Sequence, residues 1–250
     1  MAKPPDRARQ IVVPIAALAQ PLVGLLPQLG WGQDVGARSD AVPSLVTPAG
    51  YAFAIWGPIF LASIVYAADQ LRPGRAVSPF QRRVGWWAAA AFALNAVWIL
   101  TAQAYGIQEP TLAVILLILA AAAVGCRRAL VSSPGDGRGV AVVALAPLAG
   151  WLTVAAVVNA AAVLPPDPKV PEVAAVYLAL AVGAVLTGAA LTRGALLYAG
   201  PAVWGLAAVG VANRQDGDAT LATAAFAAAA VVTVAALLLK LGRAAKPSAA

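Results

Sequence analysis

Histidine is absent from all 250 residues. That removes the usual general base, the usual zinc ligand and the usual haem ligand together. Cysteine occurs once, as Cys126, so the chain forms no internal disulfide and has no CxxC pair for metal or redox work. No metal ligands and no catalytic residues are assigned. Charge is sparse: Asp, Glu, Lys and Arg together make 11% of the residues, while 62% are hydrophobic. A soluble domain of this size has too little interior for that much apolar surface. The apolar runs are each about 20 residues long, the length a helix needs to cross about 30 Å of hydrocarbon. The expected fold class is therefore all-α, a polytopic transmembrane helical bundle, and not a barrel.

Eight spans can be drawn, at about 11–30, 50–69, 85–105, 111–130, 140–164, 172–192, 195–212 and 219–239. Lys3, Arg7 and Arg9 ahead of the first run have the outline of a secretory signal. However, Gln28-Leu29-Gly30-Trp31-Gly32-Gln33 offers no small-x-small cleavage site, so the run is expected to remain as an uncleaved first span, bent by Pro14, Pro21 and Pro27. A polar loop carrying Asp34, Arg38 and Asp40 follows it. The composition of Ser132-Ser133-Pro134-Gly135-Asp136-Gly137 marks a turn.

Cytoplasmic loops collect Lys and Arg. With the N-terminus inside, eight spans leave only Arg38, Lys169 and Arg214 on the far side, together with Asp34, Asp40, Glu109, Asp167, Glu172, Asp216 and Asp218. The net charge of +7 is then a matter of topology and does not point to nucleic acid. Both termini are expected to be cytoplasmic. No charged residue falls in the middle of a span, which disfavours proton- or sodium-coupled transport. The polar groups at membrane depth are Asn95, Thr101, Gln103, Thr153, Asn159 and Thr187, and an amide in hydrocarbon needs a partner.

The organising stretch is Thr47-Pro48-Ala49-Gly50-Tyr51-Ala52-Phe53-Ala54-Ile55-Trp56-Gly57-Pro58-Ile59-Phe60. A proline loop here opens into a membrane helix, with Pro48 expected in the first turn and Tyr51, Phe53 and Trp56 near the headgroups. Trp56 and Phe60, four apart, share a helix face. On the third span Asn95 and Trp98 are one turn apart. On the fifth, Pro147, Trp151, Ala155 and Asn159 recur every four residues as one stripe. Three helices thus present aromatic, small and amide side chains, a set that suits a flat hydrophobic ligand as well as plain interhelical packing.

These stretches, in this order and with Gly106 and Pro110 after Trp98, resemble the TspO/translocator protein family (TspO/MBR), the tryptophan-rich sensory proteins. The resemblance covers about residues 10–164. It implies a five-helix membrane domain over 1–164, followed by an additional three-helix membrane segment with a short tail over 165–250, which has no counterpart in the five-helix family. It also implies porphyrin binding, with the pocket near Trp56 and Phe60, Asn95 and Trp98, and Trp151 and Ala155; Tyr51 and Asn159 complete the expected ligand-binding set.

The function expected on this basis is a membrane receptor or sensor for a tetrapyrrole, in the cytoplasmic membrane of a bacterium. No cofactor is required, and porphyrin is the expected ligand. The alternatives are an uncoupled transporter of such a molecule or a structural bundle without ligand. The resemblance also permits oxidative porphyrin degradation, which here would have only aromatic residues such as Trp56 or Trp151 to work with. Partners are the hydrophobic ligand and the bilayer, and the alanine-rich spans permit a homodimer.

Overall fold

The computed structural model describes residues 6–42, 44–132, 137–192 and 195–244. Most of the expected 132–137 turn falls outside these residues, as do Lys3, Arg193 and Lys246 of the expected basic side. All regular structure among the described residues is helical: α1 (Arg7–Gly24), α2 (Val35–Asp40), α3 (Trp56–Gln70), α4 (Pro79–Tyr105), α5 (Glu109–Val131), α6 (Arg138–Val163), α7 (Pro171–Leu191), α8 (Leu196–Gln215) and α9 (Ala219–Ala244). Short 3₁₀ stretches at Leu26–Leu29 and Gly50–Ile55 extend α1 and lead into α3.

Seven segments, beginning with Gly50–Gln70, are long and apolar enough to cross a membrane. The expected first span is not among them, because α1 starts four residues early and takes in Arg7, Arg9 and Gln10. It still runs the length of the bundle. The Asp6 N–H donates to the Ala76 carbonyl at one end, and the Gln33 N–H donates to the Gln103 carbonyl at the other. Its polar side chains other than the exposed Arg7 are satisfied internally. The fully buried Arg9 reaches Gln70 and the Arg75 carbonyl, and Gln10 donates to the Gln70 carbonyl. Internal pairing of this kind lets a helix of modest apolarity lie among membrane spans.

Two further boundaries differ from expectation. Pro48 precedes the helix and does not open it; the proline in the first α-helical turn is Pro58, with the 3₁₀ stretch Gly50–Ile55 before it. A missing N–H is harmless there. The third span begins at Pro79, where Ser78 caps the helix by accepting from the Gln81 N–H at 3.3 Å. Arg82 and Arg83, expected in a loop, therefore sit on the first turns of α4. The loop after α1 holds the short α2, capped by Asp34, whose carboxylate accepts from the Gly36 N–H at 2.7 Å.

α3, α1, α4, α5 and α6 form a closed ring in that order, each packed on the next, with α6 returning to α3. α8 packs on the outer side of α6, and α9 bridges α7 and α8. The two expected parts, 1–164 and 165–250, share one apolar core that runs from Val13 and Phe92 through Leu148 to Val185, Leu206 and Val232. Large apolar side chains such as Leu61, Leu117, Leu180 and Leu238 face outward, as suits a protein whose solvent is lipid.

α6 and α8 approach closely because Gly150 faces the Tyr198 carbonyl, with no room between them for a Cβ. Nearby, Thr153 spends its hydroxyl proton on the Ala149 carbonyl, so the Tyr198 hydroxyl donates to Thr153 Oγ1 at 2.8 Å.

The loops sort to two ends. At one end Arg9, Asp69, Gln70, Arg75 and Gln81 form a buried polar network, in which Arg75 pairs with Asp69 at 3.0 Å and Gln81 Nε2 donates to Asp69 at 3.2 Å. Gly137, at the start of α6, abuts the same carboxylate, and Arg128 lies over the Trp87 ring. The other end carries Asp34, Arg38, Lys169 and Asp216. The charge asymmetry read from the sequence is thus a real difference between the two ends of the bundle.

Candidate functional site

At the second end, a cavity lies among α3, α4, α6 and the segment joining α1 to α3. Trp56, Trp98, Trp151, Ala155 and Asn159 line it, together with Phe53, Val154, Val158 and, from the joining segment, Val35, Ser39, Val42, Thr47 and Pro48. It holds about 30 Å³ of space open to a water-sized molecule, which is room for one or two waters.

Trp56 is the hub of its wall. Its ring stacks on Phe60 at 5.3 Å between centroids, lies 6.4 Å from Trp98, and meets Trp151 edge-on at 6.1 Å. Phe53 meets the other side of Trp151 at 6.2 Å, also edge-on. Such offset and edge-to-face pairs are the geometries aromatic quadrupoles favour. The α6 stripe works as its four-residue spacing predicts, carrying Trp151, Ala155 and Asn159 down one face.

Three expected ligand residues lie elsewhere. Phe60 stands behind Trp56 and supports its ring. Asn95 is fully buried and donates to Gln20 Oε1 at 2.9 Å, tying α4 to α1. Tyr51 is 47% exposed and meets Trp204 of α8 edge-on at 5.3 Å.

Three of the lining residues carry buried polar atoms with no hydrogen-bond partner in the protein. Trp98 and Trp151 are each only 3% exposed, yet neither indole N–H has a hydrogen-bond partner in the protein. Asn159 donates to the Ala155 carbonyl at 2.9 Å and leaves its Oδ1 unpaired. A buried polar group without a partner costs about 1–3 kcal/mol, and these two donors and one acceptor belong to three residues that line one cavity. No lining residue is acidic, basic or a thiol. Among the described residues no group of three His, Cys, Asp or Glu gathers as a metal site.

The joining segment escaped the sequence reading as a wall of the cavity. The signals it offers in sequence are Asp34, a capping residue at the start of a short helix, and the Thr47-Pro48 loop ahead of α3. Arg38 on that helix donates to the Gln103 carbonyl at 3.0 Å and the Ala104 carbonyl at 3.1 Å, where a cation meets the negative end of α4.

No curated protein and no solved structure matches the chain. A family model does, and it takes in α7, α8 and most of α9 as well as the five-helix ring. The match extends beyond residue 164, the end of the resemblance visible in the sequence. With that match over residues 10–238, this integral membrane protein belongs to the TSPO-like protein family.

Proposed function

We propose that the protein is a membrane receptor or sensor whose cavity binds a flat hydrophobic metabolite bearing hydrogen-bond acceptors, a porphyrin or related tetrapyrrole. The observation that carries this reading is the convergence of Trp56, Trp98 and Trp151 on one cavity with two indole N–H groups unpaired. Aromatic faces offer stacking area to a planar ring system, and the indole donors suit carbonyl or carboxylate oxygens at its edge. The absence of ionisable groups from the lining favours binding over acid–base chemistry.

The test is titration of protoporphyrin IX into the full chain in lipid nanodiscs, followed by calorimetry. Wild type is expected to bind saturably. Trp98→Phe and Trp151→Phe each keep a ring and remove a donor, and each is expected to weaken binding about tenfold, the value of one hydrogen bond. Trp86→Phe, at the opposite end, where the indole donates to Asp6 at 3.2 Å, is expected to leave affinity unchanged. Absence of saturable binding, or equal affinity in all four proteins, overturns the reading. Protein-dependent porphyrin flux into vesicles would replace the receptor with a carrier.

A further inference from the structure

The cavity as it stands holds about 30 Å³ of free space, whereas sites for drug-sized molecules run to about 300–1,000 Å³. A flat ligand therefore needs one wall to move. The helical walls are tied to each other through Trp56, and the remaining wall is the joining segment. That segment is held at two places. Its first part is pinned to the end of α4 by Arg38. Its second part, from Ser44 to Ile55, is held by α8. The Ala49 N–H donates to the Ala208 carbonyl at 3.1 Å, Asn213 Nδ2 donates to the Leu45 carbonyl at 2.7 Å, and the Trp204 indole donates to the Ala52 carbonyl at 3.0 Å. Val46, 4% exposed, packs with Ala161, Ala174, Tyr177 and Leu221 of α6, α7 and α9.

Asn213 cannot serve equally well the other way round. Its Nδ2 also donates to the Val209 carbonyl at 2.9 Å, so a flipped amide would set its oxygen against two carbonyls. α8 also reaches the cavity wall from behind, since Gly205 lies where an added Cβ would sit 3.3 Å from the Trp151 ring. On the far side of the segment lies a polar cleft of about 360 Å³, lined by Asp40, Ser44, Lys169, Asn213 and Asp216. It shares Ser39, Thr47 and Pro48 with the aromatic cavity.

From this we infer that α8 is the latch of the ligand site. Trp204 and Asn213 are positioning residues that hold the 44–55 segment shut over the aromatic cavity, and releasing them joins that cavity to the polar cleft. The helices beyond the five-membered ring thereby set the rate at which ligand enters and leaves. The inference rests on the cavity being a ligand site, but its structural half can be read without ligand.

The experiment compares wild type, Trp204→Phe and Asn213→Leu as full chains in nanodiscs. Trp204 is 40% exposed, so its substitution by Phe leaves the core intact. Amide hydrogen exchange over 44–55 is expected to quicken about fivefold or more in both variants, with α4 and α5 unchanged. Protoporphyrin IX association and dissociation by stopped flow are expected to quicken together, with Kd held within about twofold, a pattern that general loosening does not produce. Unchanged exchange over 44–55 in both variants overturns the latch, as does faster exchange throughout the bundle. Faster exchange with unaltered ligand rates also overturns it. Local quickening with no porphyrin binding in wild type supports the latch and overturns the ligand reading alone.

Discussion

Trp56 touches Phe60, Trp98 and Trp151 at once, so its removal should be felt by three helices. Trp56→Ala is expected to destabilise the protein by about 2–4 kcal/mol, somewhat below a fully buried Trp because the side chain is only half-buried. It should also abolish porphyrin binding. A lowered thermal midpoint in nanodiscs and a flat titration are the measurements, and Trp56→Phe should recover most of the stability. Helical spacing alone tells that Trp56 and Phe60 share a face. It does not tell that Trp56 reaches the cavity while Phe60 stands behind it, because that depends on what α4 and α6 bring to the same place. Asn95 makes the same point. An amide at membrane depth needs a partner, but the partner is Gln20, 75 positions away, and only the packing of α1 on α4 supplies it.

Among the elements, the contact of α6 with α8 has the least slack. Gly150→Ala puts a methyl against the Tyr198 carbonyl, and backbone cannot swing aside as a side chain can. The two helices must separate, with an expected loss of about 1–3 kcal/mol. Gly139→Ala, also on α6 but with open space around it, is the control and should be neutral or stabilising by up to about 1 kcal/mol through helix propensity. Thermal unfolding of both variants by circular dichroism decides it. Element boundaries are legible where an apolar run is sharply bounded, as with the span expected at about 172–192, which is α7 at Pro171–Leu191. They were misread where a charge looked like a loop, as at Arg82 and Arg83, or where one proline was mistaken for another, as with Pro48 and Pro58.

Over the whole molecule, the two ends differ in charge and in what they enclose. The basic end is locked by the Arg9–Gln70–Gln81–Asp69 network, while the opposite end carries the cavity and its latch. A cytoplasmic placement of the basic end predicts the outcome of labelling in intact cells. Cys126 is fully buried, so the wild type is expected to be silent to a membrane-impermeant maleimide. Asp167→Cys, in the loop after α6, should react from outside, and Arg138→Cys only after the membrane is opened. The reverse pattern would invert the orientation and leave the fold untouched.

The sequence by itself determined the solvent, the number of apolar helices to within the first one, the separation of charge between two ends and the aromatic stripe on α6. Each of these is a property of consecutive residues: run length against bilayer thickness, charge per loop, and a repeat of nearly four on a helix. Only the tertiary structure decided which aromatic rings converge, that two indole donors are left unpaired, that the segment after α1 lines the cavity and that α8 hydrogen-bonds to that segment. Those facts rest on contacts such as Asn213 to Leu45, 168 positions apart. No local pattern encodes a hydrogen bond between two segments whose meeting is settled by the packing of every helix between them.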